Sequence, residues 1–283
     1  MVYKTLVSTE TLAAHLNDPE WIIVDCRFDL QNPGWGFEEY QRAHISRAVY
    51  ADLNHDLSSP VTPTSGRHPL PDSESFITLL SSWGVDSTTQ VVAYDSAGGS
   101  YAARLWWLLQ FYHHPAAAVL DGGFAKWKGE NRPTRSGIES RPPSHFKGTP
   151  ESAMVVNASE VERMRHDAGF RLIDARARNR FEGESETIDP VAGHIPGAVN
   201  YFYGKNLNPD GTFKKPETLR SSFEEILGPV GPERTVFYCG SGVTASHNIL
   251  AMEHAGLTGA RLYPGSWSEW IRDPNRPVIT GPV

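Results

Sequence analysis

The chain contains 283 residues, of which 39% are hydrophobic and 21% are charged. These values are typical of a soluble globular protein with about two domains of roughly 150 residues each. The formal net charge of −7 argues against a large basic surface for nucleic acid, and the absence of any run of 18 apolar residues predicts no membrane-spanning helix.

The two cysteines, Cys26 and Cys239, are too few for a disulfide scaffold or for a zinc site made only of cysteine. Residues 1–16 turn polar within a few positions and lack the apolar core and cleavage site of a secretory signal. These features predict a protein of the reducing cytoplasm. They also make each cysteine a candidate for chemistry.

The sequence contains an internal repeat. Four segments of the first half recur in the same order in the second half, at offsets of 143 to 150 residues. The pairs are 21–27 with 170–176, 43–50 with 193–200, 91–111 with 235–255, and 119–127 with 261–270. This offset is far longer than the repeat unit of a solenoid, so the pattern indicates a duplicated domain.

A proline-rich segment separates the two copies, with four prolines between positions 132 and 152. Such a composition disfavours regular structure and is typical of an extended linker. We therefore predict a first domain over 1–133, a linker over 134–152 and a second domain over 153–283.

Short apolar runs alternate with helical patterns along the second copy. Strands are predicted at 171–175, 235–239 and 260–265, and helices at 216–227 and from 243–244 to Gly256. Alternation of this kind predicts an α/β fold, with two tandem domains that are each a parallel sheet flanked by helices.

The most informative segment is CGSGVT at 239–244, which joins a predicted strand to a predicted helix. Cys239 is expected at the carboxyl end of a parallel strand, where open α/β sheets bind ligands. It would also face a helix amino terminus, whose N–H groups favour an anion and hence the thiolate. The glycines would let the N–H groups of residues 240–244 converge on the sulfur.

The first copy carries Asp95 at the position of Cys239. One copy with a nucleophile and one without predicts a catalytic second domain and an inactive first domain. His44 and His194 occupy equivalent positions in the two copies. Because the first copy lacks the nucleophile, we expect these histidines to be structural. Trp270 is expected in the core, because Trp127 repeats it.

These motifs resemble the two-domain rhodanese sulfurtransferases, the family of 3-mercaptopyruvate and thiosulfate sulfurtransferases. The resemblance rests on the Asp-x-Arg ending of each first strand, on GHIPGA at 193–198 and on the loop at 239–244, and it spans nearly the whole chain. It implies two rhodanese-like domains without a cofactor or metal. Cys239 would take a sulfane sulfur from a small anionic donor and pass it to cyanide, a thiol or a thioredoxin-like dithiol.

The same resemblance implies roles for further residues. The loop resembles the mercaptopyruvate type, which favours 3-mercaptopyruvate over thiosulfate as donor. Arg180 would bind the donor, and Ser241 and His68 would handle a proton. The loop residues expected to contact the substrate are Gly240, Gly242, Val243 and Thr244. Asp189 stands where mercaptopyruvate-type enzymes usually have a second arginine.

Some assignments stay open at this point. The acidic partner of His68 is ambiguous, with Asn54 in the aligned position and Asp52 and Asp56 nearby. Arg176 and Arg178 are interpreted as solvated loop charges or as partners in a structural ion pair with Asp174.

Three other functions fit the motif less well. A non-enzymatic sulfur carrier and a redox-sensing module both use a reactive thiol, although no resolving cysteine is evident. A Cys-dependent phosphatase needs an arginine about six residues after the cysteine, and position 245 is Ala.

Overall fold

The computed structural model describes residues 2–282, which divide into two compact units. The N-terminal unit contains the chain up to Ser59, Leu70–Glu151 and Leu207–Phe213. The C-terminal unit contains Pro60–Pro69, Ser152–Asn206 and the chain from Lys214. A ten-residue segment of the first half, 60–69, therefore belongs to the C-terminal unit. The division of the sequence into 1–133, 134–152 and 153–283 stays a prediction.

The N-terminal unit is built on a parallel sheet of five strands in the order β1-β6-β5-β2-β4. These strands are β1 (Leu6–Val7), β2 (Trp21–Asp25), β4 (Val49–Tyr50), β5 (Gln90–Tyr94) and β6 (Ala117–Leu120). A separate antiparallel pair joins β3 (His44–Ile45) to β7 (Thr134–Arg135). The helices are α1 (Thr9–Ala14), α2 (Trp35–Arg42), α3 (Ser73–Ser82), α4 (Ala102–Phe111) and α5 (Gly123–Gly129).

The C-terminal unit repeats this plan with a parallel sheet of four strands in the order β11-β10-β8-β9. They are β8 (Arg171–Asp174), β9 (Val199–Asn200), β10 (Thr235–Tyr238) and β11 (Arg261–Leu262). The helices are α6 (Ala158–Met164), α7 (Arg178–Phe181), α8 (Pro216–Leu227), α9 (Thr244–His254) and α10 (Ser266–Trp270). Short 3₁₀ turns lie at Ser152–Met154, Tyr203–Asn206 and Pro232–Arg234. The predicted fold class, parallel sheets flanked by helices, is confirmed.

The central strands are buried on both faces, as expected for parallel sheets covered by helices. All five residues of β2 and all four of β10 are buried. Trp127 and Trp270 occupy equivalent positions in the two cores, and both side chains are fully buried. Their indole N–H groups donate to the carbonyl oxygens of Pro133 and Pro277, each at 2.9 Å. The repeat thus correctly predicted Trp270 as a core residue. No helix among residues 2–282 has the length and apolar character needed to cross a bilayer.

A buried ion pair ends the first long strand of each unit. In the N-terminal unit Arg27 Nη2 lies 2.6 Å from Asp25 Oδ2, and in the C-terminal unit Arg176 Nη2 lies 2.7 Å from Asp174 Oδ2. Each guanidinium also donates at 2.7 Å to a main-chain oxygen, that of Ala43 or of Gly193. Burial acts to lower the pKa of Arg176, but the charge of Asp174 and its hydrogen bonds outweigh it and raise that pKa. Arg176 is therefore a structural cation.

The repeated histidines follow these carbonyl groups. His44 Nδ1 lies 2.8 Å from the carbonyl oxygen of Tyr40, and His194 Nδ1 lies 2.8 Å from that of Phe181. Each imidazole also stacks on the ring of the same partner, with centroids 4.2 Å and 3.6 Å apart. Both histidines are buried, and burial lowers the pKa of His194. The equivalent packing in both units agrees with a structural role.

Substituting Asp174→Asn is expected to lower the free energy of unfolding by about 3 kcal/mol, because it leaves a buried arginine short of its counter-charge. Urea unfolding followed by circular dichroism measures the change. The matched control is Glu224→Gln, which breaks the exposed pair between Arg220 and Glu224 in the same unit. The control should unfold like the unmodified protein, and equal effects of the two substitutions would contradict the assignment.

Candidate active site

Cys239 is the first residue after β10, and α9 begins five residues later at Thr244. The main-chain N–H of Gly242 donates to Cys239 Sγ at 3.1 Å. The sulfur therefore points toward the amide of Gly242 in its own loop. Only 2% of the residue is exposed. The buried sulfur thus has a main-chain donor, the N–H of Gly242, in place of solvent.

The start of α10 holds this loop in place. The N–H of Cys239 donates to Ser266 Oγ at 3.1 Å, and the N–H of Trp267 donates to the Cys239 carbonyl oxygen at 3.0 Å. The N–H of Ser268 donates to the carbonyl oxygen of Gly240 at 2.9 Å. Gly242 has a φ of +77°, and a Cβ at this position would come within 2.5 Å of the carbonyl oxygen of Pro264. Glycine is thus required there for two reasons, backbone conformation and lack of space.

The equivalent loop of the N-terminal unit surrounds a carboxylate. Asp95 Oδ1 accepts hydrogen bonds from the N–H groups of Ala97 and Gly99 at 2.7 and 2.9 Å. Asp95 Oδ2 accepts from those of Tyr101 and Ala102 at 2.8 and 2.9 Å. Asp95 is 1% exposed. This copy gathers four main-chain donors around one carboxylate. At Cys239 the structure gives the contact from Gly242, and convergence of the N–H groups of residues 240–244 stays a prediction.

The other cysteine has a different environment. Cys26 follows β2 in the N-terminal unit, and its thiol contacts the carbonyl oxygen of Val24 at 3.9 Å. Burial raises the pKa of the Cys26 thiol well above its ordinary value, and the negative charges of Asp25 and Asp95 raise it further. These effects disfavour the thiolate form of Cys26, which is the nucleophilic form.

Ser241 and His68 are in contact within the C-terminal unit. The distance from His68 Nδ1 to Ser241 Oγ is 2.7 Å, and both residues are buried. His68 is close because the segment 60–69 packs in this unit, where the N–H of Arg67 donates to Ser268 Oγ at 2.9 Å. The pairing joins positions 173 residues apart.

Asp52 and Asp56, the acidic residues considered as partners for His68, form hydrogen bonds within their own loop. In the N-terminal unit, Asp52 Oδ1 lies 3.0 Å from His55 Nδ1 and accepts the N–H of Asn54 at 2.7 Å. Asp56 Oδ2 accepts the N–H of Asp52 at 2.7 Å. The identity of a third member for the Ser241–His68 pair stays open.

Arg180 belongs to a cluster of charges beside the Cys239 loop. Its Nη2 lies 2.9 Å from Asp189 Oδ2, and its Nε lies 3.0 Å from Glu186 Oε2. Burial acts to raise the pKa of Glu186, but the hydrogen bonds from Arg180 and from two main-chain N–H groups lower it by more. The neighbouring Arg178 is exposed and pairs with Glu182 at 2.6 Å. Of the two, Arg180 is therefore the arginine of the cluster.

Sequence reasoning missed Arg67, which is a further cation of this cluster, beside Arg180 and Arg176, whose Nη1 lies 3.5 Å from Glu186 Oε2. Arg67 Nη1 lies 2.5 Å from Asp189 Oδ1. A Cβ placed on Gly240 would lie 3.0 Å from Arg67 Nη2 and 3.8 Å from Arg180 Nη1. Both guanidinium groups therefore border the residue that follows Cys239. The sequence feature that could have indicated a second cation is Asp189, because a buried carboxylate needs a cationic partner. Within residues 2–282, no group of three or more His, Cys, Asp or Glu side chains is arranged to hold a metal ion.

Comparison with known proteins gives the same picture as the motifs. The family model described as "Rhodanese-like domain" matches twice, at residues 8–130 and 157–273. The chain is 45% identical to a Pseudomonas aeruginosa protein named "Probable 3-mercaptopyruvate sulfurtransferase", over 98% of each chain. It is 31% identical to the thiosulfate sulfurtransferase of Rattus norvegicus, over 96% of this chain and 93% of that protein.

A solved structure supports the fold at the level of coordinates. The 3-mercaptopyruvate sulfotransferase SseA of Escherichia coli superposes with a TM-score of 0.80 at 30% identity, over 94% of this chain and 100% of that chain. The chain therefore belongs to the rhodanese family. It is a two-domain sulfurtransferase enzyme, with a sulfur donor and a sulfur acceptor as its substrates.

Substituting Asp95→Asn is expected to lower the free energy of unfolding by about 2–4 kcal/mol. The amide nitrogen of asparagine cannot accept the N–H groups that now bind one carboxylate oxygen. Urea unfolding of the full chain checks this value. The control is Asp29→Asn, because Asp29 also accepts two main-chain N–H groups but is exposed. A loss for Asp95→Asn no larger than that of the control would contradict the proposed anion cradle.

Proposed function

We propose that Cys239 accepts a sulfur atom from 3-mercaptopyruvate and transfers it as a persulfide to a thiophilic acceptor. Three features of the C-terminal unit support the proposal. The sulfur of Cys239 accepts the N–H of Gly242, Ser241 contacts His68, and the guanidinium of Arg180 borders the loop. The single observation that carries the choice of donor is the 2.7 Å contact between Ser241 and His68.

The first half-reaction needs only the thiolate and the donor. The thiolate of Cys239 attacks the thiol sulfur of 3-mercaptopyruvate, and a new S–S bond forms while the C–S bond breaks. The electron pair of the C–S bond leaves as the enolate of pyruvate. The thiol proton of the donor, released from the new persulfide, is transferred to the enolate carbon. The products are pyruvate and an anionic persulfide on Cys239.

The loop suits this product because a persulfide places its negative charge on the outer sulfur. Main-chain N–H groups that already point toward the anion stabilise it without reorganisation. Gly240, Gly242, Val243 and Thr244 supply the main chain of this cradle under the proposal. Asp95 in the N-terminal unit supports the idea, since the same segment there surrounds an anion with four donors.

The two candidate donors differ in whether their leaving group must take up a proton. Thiosulfate gives up its outer sulfur and leaves as sulfite, which carries the electron pair without needing a proton. Pyruvate enolate must be protonated, and a serine–histidine pair beside the nucleophile can move that proton. A buried pair of this kind therefore favours 3-mercaptopyruvate, with thiosulfate as the second candidate.

The second half-reaction returns the enzyme to its thiolate form. An acceptor nucleophile attacks the outer sulfur, and the S–S bond electrons return to Cys239. Cyanide, a low-molecular-weight thiol and a thioredoxin-like dithiol are all nucleophiles of this class. Two half-reactions through one covalent intermediate give ping-pong kinetics. We place the reaction in the cytoplasm, because both cysteines are unpaired thiols.

Cys239 is tested by substitution and mass spectrometry. After treatment with 3-mercaptopyruvate and removal of excess donor, the peptide that contains Cys239 should gain the mass of one sulfur atom. Cys239→Ser should abolish both the mass gain and steady-state transfer to cyanide, while Cys26→Ser should retain them. A Cys239→Ser variant with near-normal turnover would contradict the proposal.

The donor is tested by separating the two donors kinetically. Ser241→Ala and His68→Ala should each lower kcat/KM for 3-mercaptopyruvate by about 100-fold or more, the usual contribution of general acid–base catalysis. Their kcat/KM for thiosulfate should change only a few-fold, which makes thiosulfate the internal control. Equal losses with both donors would assign the pair a structural role instead.

A further inference from the structure

The acid at position 189 is the starting point, because the resemblance implies an arginine there. The Asp189 side chain is 2% exposed and bridges two cations, with Oδ1 at 2.5 Å from Arg67 Nη1 and Oδ2 at 2.9 Å from Arg180 Nη2. One carboxylate thus holds two guanidinium groups beside the Cys239 loop. The cation expected at 189 is absent, but a second arginine is present from another part of the chain.

Both the main chain and the guanidinium group of Arg67 have hydrogen-bond partners in the C-terminal unit. Its main-chain N–H donates to Ser268 Oγ at 2.9 Å, and Ser268 is in turn bonded to the carbonyl oxygen of Gly240 through its own N–H. Its guanidinium is fixed by Asp189 through Nη1, which leaves Nη2 facing Gly240. Arg67 Nε is buried and has no hydrogen-bond partner among the described residues. The side chain therefore has donor capacity that the protein itself does not use.

The charges of the cluster are not presented equally to solvent. The side chains of Arg67 and Arg180 are 26% and 18% exposed, whereas those of Asp189 and Glu186 are 2% and 3% exposed. The two guanidinium groups are therefore more accessible to an incoming anion than the two carboxylates, and Asp189 Oδ2 also borders the loop, 3.7 Å from a Cβ placed on Gly240. Two adjacent guanidinium groups are well suited to a carboxylate with a neighbouring keto oxygen, because each offers planar N–H donors.

We propose that Arg67 is a second donor-binding cation that replaces the missing arginine, and that Asp189 positions Arg67 and Arg180. The inference rests on the proposed function for the identity of the donor. It assigns the carboxylate and keto oxygens of 3-mercaptopyruvate to a pair of arginines from two separate segments. The donor would bind with its thiol sulfur toward Cys239.

Binding without chemistry gives the first test. In the Cys239→Ser background, which cannot form the persulfide, titration calorimetry with 3-mercaptopyruvate measures donor affinity alone. Adding Arg67→Ala should weaken binding by about 10- to 100-fold, the range for the loss of a charge-assisted hydrogen bond. Adding Arg178→Ala instead should leave the affinity unchanged, because Arg178 is exposed and paired with Glu182. Equal affinities for the two double variants would overturn the inference.

Steady-state kinetics with an intact Cys239 gives the second test. Arg67→Ala should raise KM for 3-mercaptopyruvate about tenfold or more while kcat changes only slightly, since the residue binds the donor without joining the reaction. Arg67→Lys should recover part of the loss, because the charge remains but the planar donor pair is lost. A loss confined to kcat, or no recovery with lysine, would assign Arg67 to the structure of the loop.

The two tests separate this inference from the proposed function. If the Cys239 peptide of the unmodified protein gains no sulfur, the proposed function fails, whatever the Arg67 variants do in calorimetry. If the peptide gains sulfur and Arg67→Ala binds and turns over like Arg178→Ala, only the role of Arg67 fails. A stability measurement on Arg67→Ala that matches the unmodified protein excludes unfolding as the cause of weaker binding.

Discussion

Both units depend on a side chain at the end of a central strand that accepts main-chain N–H groups from the following loop. This arrangement arises where a parallel strand ends and a helix begins, so the sheet and the helix must both be in register for the donors to meet. The acceptor is the carboxylate of Asp95 in the N-terminal unit and the sulfur of Cys239 in the C-terminal unit. Each unit also contains a buried Asp-x-Arg ion pair and a fully buried tryptophan at equivalent positions.

Much of the fold and part of the site could be predicted from the sequence, because they depend on local patterns. The apolar run before Cys239 and the glycines after it indicate a strand, a turn and a helix, and the structure has β10, the loop and α9 there. The repeat identified the core position of Trp270 before any coordinates. These features need only neighbours along the chain, or a second copy for comparison.

The remainder of the site depends on contacts that no local pattern encodes. His68 contacts Ser241 because residues 60–69, which belong to the first half of the sequence, pack in the C-terminal unit. Arg67 was overlooked for the same reason, and Asp189 was interpreted only as a departure from the family pattern. The structure instead makes Asp189 the bridge between two arginines. A buried acid is informative only once its partners are known.

The tethered carboxylate of Asp95 also affects how the duplicated protein responds to its surroundings. Four main-chain N–H groups already donate to this carboxylate, so these donors are not available to phosphate, sulfate or sulfite in solution. Duplication has thus given the N-terminal unit a built-in carboxylate at the position where the C-terminal unit carries a thiol.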